Sequence, residues 1–288
     1  MAASRQWPDS KARFLARFAF VAALTLTPMG AAPQAQDSQA LTLSLGYDGR
    51  LLIKVLDIEV IERATPAGFS ADAQLTSAGL LALVKHIHQR AATQGRIVGG
   101  EPRPGVFETQ KLDGKTRRRI RTVWDGEDVA MTASPPFDNL GDPPATPQQT
   151  RAAADPLTVL VRITLGGSRQ TTCGRSYLFF DGKQLYALDF SPATDAPPLS
   201  EDDLRLGLMA PFSCDVRFRE LAGFSKKPPG KRDQGLKRPI RIDFARAGPD
   251  GPLVISALHA QTPLGWASVE LKRLQLVGSR PATAPTPA

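Results

Sequence analysis

The stretch RSYLFFDGKQLYALDF, residues 175–190, decides the fold. Two runs suited to strands, residues 177–180 and 184–190, flank Asp181-Gly182. Asp and Gly both tolerate the positive φ that a tight turn between twisted strands requires, so the stretch reads as a β-hairpin. Asp-Gly recurs at Asp48-Gly49, Asp113-Gly114, Asp125-Gly126 and Asp250-Gly251, for five in all, four of them between runs of this type. Residues 116–124 and 128–133 flank Asp125-Gly126. Leu41, Leu43, Leu45 and Tyr47 alternate with small polar residues before Asp48-Gly49, and residues 51–61 resume after it. Further alternation runs through Phe69, Ala71, Ala73 and Leu75, through Val216 and Phe218, and through Ile240, Ile242 and Phe244. Period-2 patterning with turn dipeptides at short spacing predicts an all-β fold. The expected form is a single antiparallel, strongly curved sheet, an open barrel or β-spiral, with one or two short helices.

Two segments carry helical signals. Leu80, Leu83, Val84, Ile87 and Ala91 follow the i, i+3, i+4, i+7 spacing. Asp155-Pro156 ahead of residues 157–165 supplies an N-cap followed by proline at the first helical position. The β-branched residues of that run leave strand open beyond its first turn. Residues 134–155 form a Pro-, Ala- and Gln-rich connector. It could separate two domains, but neither half holds its own strand set and cross-link, so one continuous sheet is preferred.

With 288 residues and a 42% apolar share the chain can bury a substantial core. Charged residues at 22% are ordinary, whereas 25 prolines favour many short elements joined by turns. Arg5, Lys11, Arg13 and Arg17 precede an uncharged run over residues 18–32 broken only by Pro28 and Gly30. Basic, then apolar, then small residues is the order of a secretory signal peptide, and the run is shorter than the ~20 residues a spanning helix needs. The expected organisation is a signal peptide over residues 1–40, cleaved within about residues 32–40, a β-rich domain over 41–278, and a disordered Pro-rich tail over 279–288. No cysteine near the cleavage region offers a lipid attachment point, and no later run spans a membrane, which predicts a periplasmic protein. Cys173 and Cys214 are the only two cysteines, an even pair in a chain bound for an oxidising compartment. No Cys-x-x-C accompanies them, and Cys214 shares its phase with inward Val216 and Phe218, so a structural disulfide is expected.

Motifs of catalysis fail on their surroundings. Arg96-Ile97-Val98-Gly99-Gly100 resembles a chymotrypsin-like activation site, but the required downstream Gly-Asp-Ser-Gly-Gly segment is missing. Gly114-Lys115-Thr116 ends like a phosphate-binding loop, yet Thr109 stands where the first glycine belongs. His86 and His88 share a side only on a strand, and His259 is the one other histidine, so no metal and no cofactor are expected. No catalytic residue is assigned, and an enzyme is disfavoured.

Charge is segregated. Residues 111–121 and 226–238 each carry six basic residues against one aspartate, within a chain total of +8. Arg117, Arg119 and Arg121 would line one face of a strand. With Lys226, Lys227, Lys231, Arg232, Lys237 and Arg238 they are the candidate contacts to an anionic membrane or polysaccharide surface. The bland counterpart is a solubilising face and a loose loop. Nucleic acid is not expected, because no aromatic residues interleave with the basic ones. An outer-membrane barrel is rejected for want of aromatic girdles, with three Tyr and three Trp in the chain.

In order and spacing, several features resemble the DUF 3108 family, bacterial envelope proteins with a domain of unknown function. They are Tyr47 with Asp48-Gly49, residues 76–80 (TSAGL), Gly95 before Arg103-Pro104, and Asp155-Pro156-Leu157. Cys173 ahead of residues 180–183 (FDGK), Cys214 ahead of Gly223-Phe224, and residues 262–265 (TPLG) complete the set. The resemblance runs from about Leu41 to Leu276, although His86 and His88 stand where aromatic or basic residues are usual. It implies an exported β-rich protein with a curved or spiral sheet and brings no catalytic residues. The chain is also similar, more faintly, to a second periplasmic family, DUF 1849, a disulfide-stapled β-spiral linked to envelope integrity. The functional expectation is a non-catalytic binding or scaffolding protein in cell-envelope maintenance, with a lipid-like ligand in the concave sheet or an envelope protein as partner. The alternatives are a structural protein that engages a partner through strand edges without a small ligand, and an unrecognised periplasmic hydrolase.

Overall fold

The alternating runs pair into one sheet. In the computed structural model, residues 40–114, 117–195, 197–225, 240–262 and 265–278 are described, all within the unit Asp37–Ala288. Strands β1 (Leu41–Arg50), β2 (Lys54–Ala64) and β3 (Gly68–Ser77) form a meander, followed by helix α1 (Gly79–Val84). Strands β4 (His88–Val98), β5 (Glu101–Lys111), β6 (Arg119–Asp125) and β7 (Asp128–Ser134) continue it. The connector then carries α2 (Pro147–Ala152), and α3 (Pro156–Gly166) and α4 (Arg169–Thr172) follow it. Next come β8 (Ser176–Phe180), β9 (Leu185–Pro192) and α5 (Glu201–Arg205). The described chain ends with β10 (Leu208–Ala222), β11 (Ile240–Ala247), β12 (Leu253–Thr262) and β13 (Gly265–Gly278).

All pairings are antiparallel, in the order β7-β6-β5-β4-β3-β2-β1-β13-β12-β11-β10-β9-β8. The molecule is thus all-β with one 13-stranded sheet that is not closed by a strand pair. Among the described residues five helices accompany it, four of them of six residues or fewer.

Helix α3 shows how far the sheet curls. It packs against β3, β4 and β5 and also against β12 and β8. In sheet order β5 and β8 are ten strands apart, a separation of roughly 48 Å if the sheet were flat. A helix of 11 residues is only about 16 Å long. Both flanks therefore wrap round it. At the seam the connector substitutes for strand pairing. Ala154 lies along the β8 edge, accepting from Phe180 N and donating to Leu178 O. Trp124 Nε1 of β6 reaches Thr150 O of α2 at 3.4 Å. A buried cluster of Ala153, Phe180, Leu185 and Ala222 packs with Trp124 and Val129 from the other flank.

Two sequence expectations are corrected. Asp48-Gly49 is not a turn: Asp48 pairs with Asp57 and Gly49 with Leu56, and the chain reverses at residues 51–53. Glycine serves close approach here, since a Cβ at Gly49 would sit 2.9 Å from Leu56 Cβ. Second, the helical spacing of Leu80 to Ala91 yields only α1. From His88 the backbone pairs with β3, Thr76 opposite His88, and then with β5, so two ladders satisfy groups that a helix would have used internally. The run after Asp155-Pro156, where strand was left open beyond the first turn, is helix throughout. Asp155 accepts from Thr158 N at 2.9 Å as its N-cap. The chymotrypsin-like motif proves to be a hairpin, with Gly99 and Gly100 both at positive φ between β4 and β5.

Candidate functional site

The interior of the curved sheet is divided between a filled half and an open one. Helix α3 occupies the half near the β4–β5 and β11–β12 turns: Arg162 Nε donates to Pro102 O at 2.8 Å, and Arg246 Nη2 to Gly167 O at 3.2 Å. Leu157, Val161 and Leu165 pack on Leu41, Phe69 and Phe107, while Val159 and Ile163 pack on Phe179, Phe244 and Leu253. Apolar groups on nearly every side of one helix fit its central position. Its polar groups are matched by the sheet. Thr93 Oγ1 lies 3.1 Å from Asp155 Oδ2, Thr158 Oγ1 donates to the same oxygen, and Thr164 Oγ1 donates to Glu62 Oε1 at 3.3 Å. Burial pushes the Glu62 carboxyl up to about 7, against the pull of the Thr164 bond, and also raises Asp155.

The other half is a hollow of about 390 Å³. Ile58, Ala73, Leu75, Ala91 and Ile120 line it on the inward phase of β2, β3, β4 and β6, and Phe137 from the connector closes one wall. Cations stand at its lip. Arg118 donates to Pro135 O and Pro136 O at 2.9 and 3.1 Å, which holds its guanidinium 4.4 Å from the Phe137 ring centre. Lys183 approaches the same ring at 5.1 Å, and Lys111 lines the hollow beside Arg118. An apolar wall with two or three cations at the opening can accept an acyl or other aliphatic group and pair its anionic end. Alternation alone assigned the inward phase of Ala73 and Leu75. Phe137 had no signal, because it lies in the connector outside any periodic run.

Of the predicted surface contacts, Arg119 and Arg121 share the outward face of β6, and Arg117 is exposed just before it. Both strand arginines ion-pair with the single carboxylate of Glu108, whose proton affinity Arg119 lowers most. Two cations against one anion leave a weaker positive stripe than the count alone predicts. Lys226, Lys227, Lys231, Arg232, Lys237 and Arg238 lie outside the described residues. Cys173 and Cys214 are bonded to each other, with their Cα atoms 5.6 Å apart and both side chains buried.

One cluster deserves comparison with a hydrolase. Ser213, Asp243 and His259 come together, but Asp243 is in the middle: Ser213 Oγ donates to Oδ1, and His259 Nε2 lies 3.3 Å from Oδ2. A nucleophilic serine needs the base beside it and the acid behind the base. Here the buried Ser213 faces a carboxylate that Arg241 also bridges, an arrangement that ties β10, β11 and β12 together. Among the described residues no three His, Cys, Asp or Glu side chains gather as metal ligands. None of the described helices is long and apolar enough to cross a membrane.

These features define an all-β protein with an open, strongly curved antiparallel sheet around a central helix. No family model matches the chain, so the DUF 3108 membership expected from the motif order finds no support there. No curated protein matches it either. Among solved structures, a β-barrel-like protein of domain of unknown function DUF1849 from Brucella abortus is similar at 9% identity. The match covers 83% of this chain and 97% of that one, with a TM-score of 0.46. No functional conclusion follows from a likeness at that level.

Proposed function

We propose that the chain is an exported, non-catalytic protein of the cell envelope that holds a lipid-like ligand in the open half of its concave sheet. In this reading residues 1–40 are a leader removed on export to the periplasm, and residues 279–288 are a solvated tail. The observation that carries the proposal is the inward-facing hollow of about 390 Å³, walled by Ile58, Leu75, Ile120 and Phe137 with Arg118 at its opening. Its size and lining fall in the range of small-ligand sites. Arg117, Arg119, Arg121 and the six basic residues of 226–238 act in the same reading as contacts to anionic envelope surfaces. The hydrolase alternative loses ground because Ser213 bonds to a carboxylate and not to a base.

The test is organic extraction and mass spectrometry of protein purified natively from the envelope fraction. Ala73→Leu combined with Ala91→Leu narrows the hollow while staying apolar. The parent is expected to yield a stoichiometric lipid, and the double variant, melting within a few degrees of the parent, is expected to yield several-fold less. A parent that carries no lipid, or a variant that retains it fully, would overturn the ligand.

A further inference from the structure

The sheet has two rims, and they differ in what they expose. The first rim gathers the ends of β1, β3, β5 and β12 and the starts of β2, β4, β6 and β13. On it the β1–β2 turn presents Leu52, 98% exposed, and Ile53. Next to that turn α1 presents Leu80, Leu83 and Val84, all exposed, anchored by Ala78 N donating to Val55 O. On the other side stands Trp266 at the start of β13, 67% exposed. Six of the ten large apolar side chains that are exposed among the described residues thus lie on three neighbouring connections of one rim. Leu75, Gln89, Lys111 and Arg118, near the same rim, are among the residues that line the hollow described above.

Nothing in the folding of the sheet calls for these side chains. α1 has no buried residue, and Leu52 touches almost nothing. They project from loop tips and line no closed groove, so they suit a soft, planar, apolar layer better than the cupped surface of a protein partner. Cations accompany them: Lys85 directly after α1, and Lys111 and Arg117 flanking the β5–β6 connection, all exposed. Asp113 on that connection is engaged by His88 N at 3.1 Å, and Asp48 and Asp57 by Lys54. Between Leu52 and Trp266 a notch of about 540 Å³ is bordered by Arg50, Arg241 and His259, with Glu270 at its back. Aliphatic tips, a tryptophan at the edge and basic residues beside them are the composition of a surface that enters the headgroup layer of a bilayer.

We infer that this rim docks on an anionic lipid bilayer, with Leu52, Leu83, Val84 and Trp266 inserted at the headgroup–acyl boundary and Lys85, Lys111 and Arg117 paired with lipid phosphates. The inference deepens the anionic-surface part of the proposed function and is independent of any ligand in the hollow. It also turns the end of the hollow lined by Lys111 and Arg118 toward the membrane.

The experiment is flotation of the purified protein with vesicles of phosphatidylcholine containing phosphatidylglycerol, against phosphatidylcholine alone. Trp266 emission is followed in parallel with acyl-brominated lipid. The protein floats with the anionic vesicles, its emission shifts to the blue, and bromine quenches it. The Trp266→Phe variant loses that quenching. Leu52→Ser, Leu83→Ser and Trp266→Ser together reduce partition by at least about tenfold, since a buried leucine or tryptophan side chain contributes a factor of that order. Lys85→Gln and Arg117→Gln reduce it by about fivefold each, and less in high salt. All of these residues are exposed, so the variants melt like the parent. Binding to anionic vesicles that the apolar triple variant retains overturns the inserted rim and leaves the anionic-surface reading standing. Failure to bind anionic vesicles overturns the bilayer as the docking partner, and failure to bind acidic polysaccharide as well overturns the anionic-surface reading.

Discussion

Glu62 is the residue whose setting departs furthest from what its chemistry prefers. It is 2% exposed, with Thr164 as its hydrogen-bond donor, and its neighbour Tyr47 is raised by burial and by the Glu62 charge. The unfolded chain releases the Glu62 proton near the ordinary value of 4.5 and the folded protein near 7. Between those values the folded state holds the proton and the unfolded state does not. The stabilisation from the neutral acid is therefore complete below pH 4.5 and is lost as pH rises to about 7. At about 1.4 kcal/mol for each tenfold change the whole effect is about 3 kcal/mol. Glu62→Gln is expected to match the parent near pH 4.5 and to melt at a higher temperature at pH 8, measured by circular dichroism at both. Asp155 and Asp181, also raised by burial, leave a shallower decline in the variant at lower pH. In β2 Glu62 lies on the inner face with Val60 and Ala64, one residue past the run read from the sequence. Its partner Thr164, 102 residues away, could not be read from any local pattern.

At the scale of elements, the strands were the legible part because their signal is local. The hairpin of residues 175–190 forms as read, and Asp181 adds side-chain acceptance from Lys183 N and Gln184 N at 2.9 and 2.7 Å. The two helical patterns separate along the same line. α3 has a cap that acts on its own first turn, so its start was legible, whereas the spacing from Leu80 to Ala91 reported periodicity with no cap and lost to cross-strand pairing. What α3 packs against was hidden, since its partners come from both flanks of the sheet. Asp155→Ala removes the N-cap acceptor and leaves the buried hydroxyls of Thr93 and Thr158 short of a partner. The expected cost is about 3 kcal/mol, combining a lost cap with an unsatisfied buried hydroxyl. Asp155→Asn keeps an acceptor for Thr158 N and should cost less than half as much. Urea denaturation of the two variants separates these outcomes.

For the molecule as a whole, the cross-link and the wrap act on different things. Cys173 follows α4 and Cys214 sits within β10, so the bond fixes the connector segment to the far flank of the sheet. The residues between them, 41 apart in sequence, make the chain-entropy gain about 4 kcal/mol at most. The sheet itself is held by its ladders and by buried clusters that include neither cysteine. Reduction, or Cys173→Ser with Cys214→Ser, should lower the melting temperature while the far-ultraviolet spectrum stays that of a β-protein. The pairing of the cysteines was legible from their number and phase. The exposed apolar rim was not, because Leu52, Leu83 and Trp266 are distant in sequence and only the strand order sets them side by side.

That strand order also governs how the protein can be made. The segments before the connector can assemble as β1 to β7 and those after it as β8 to β12, but among the described strands β13 is the one that pairs with both groups. Until residues 265–278 emerge, no strand pair links the two half-sheets, one ending in the bare edge of β1 and the other in that of β12. Contacts of such long sequence separation form slowly. The sheet is therefore completed only when its final strand drops into the middle.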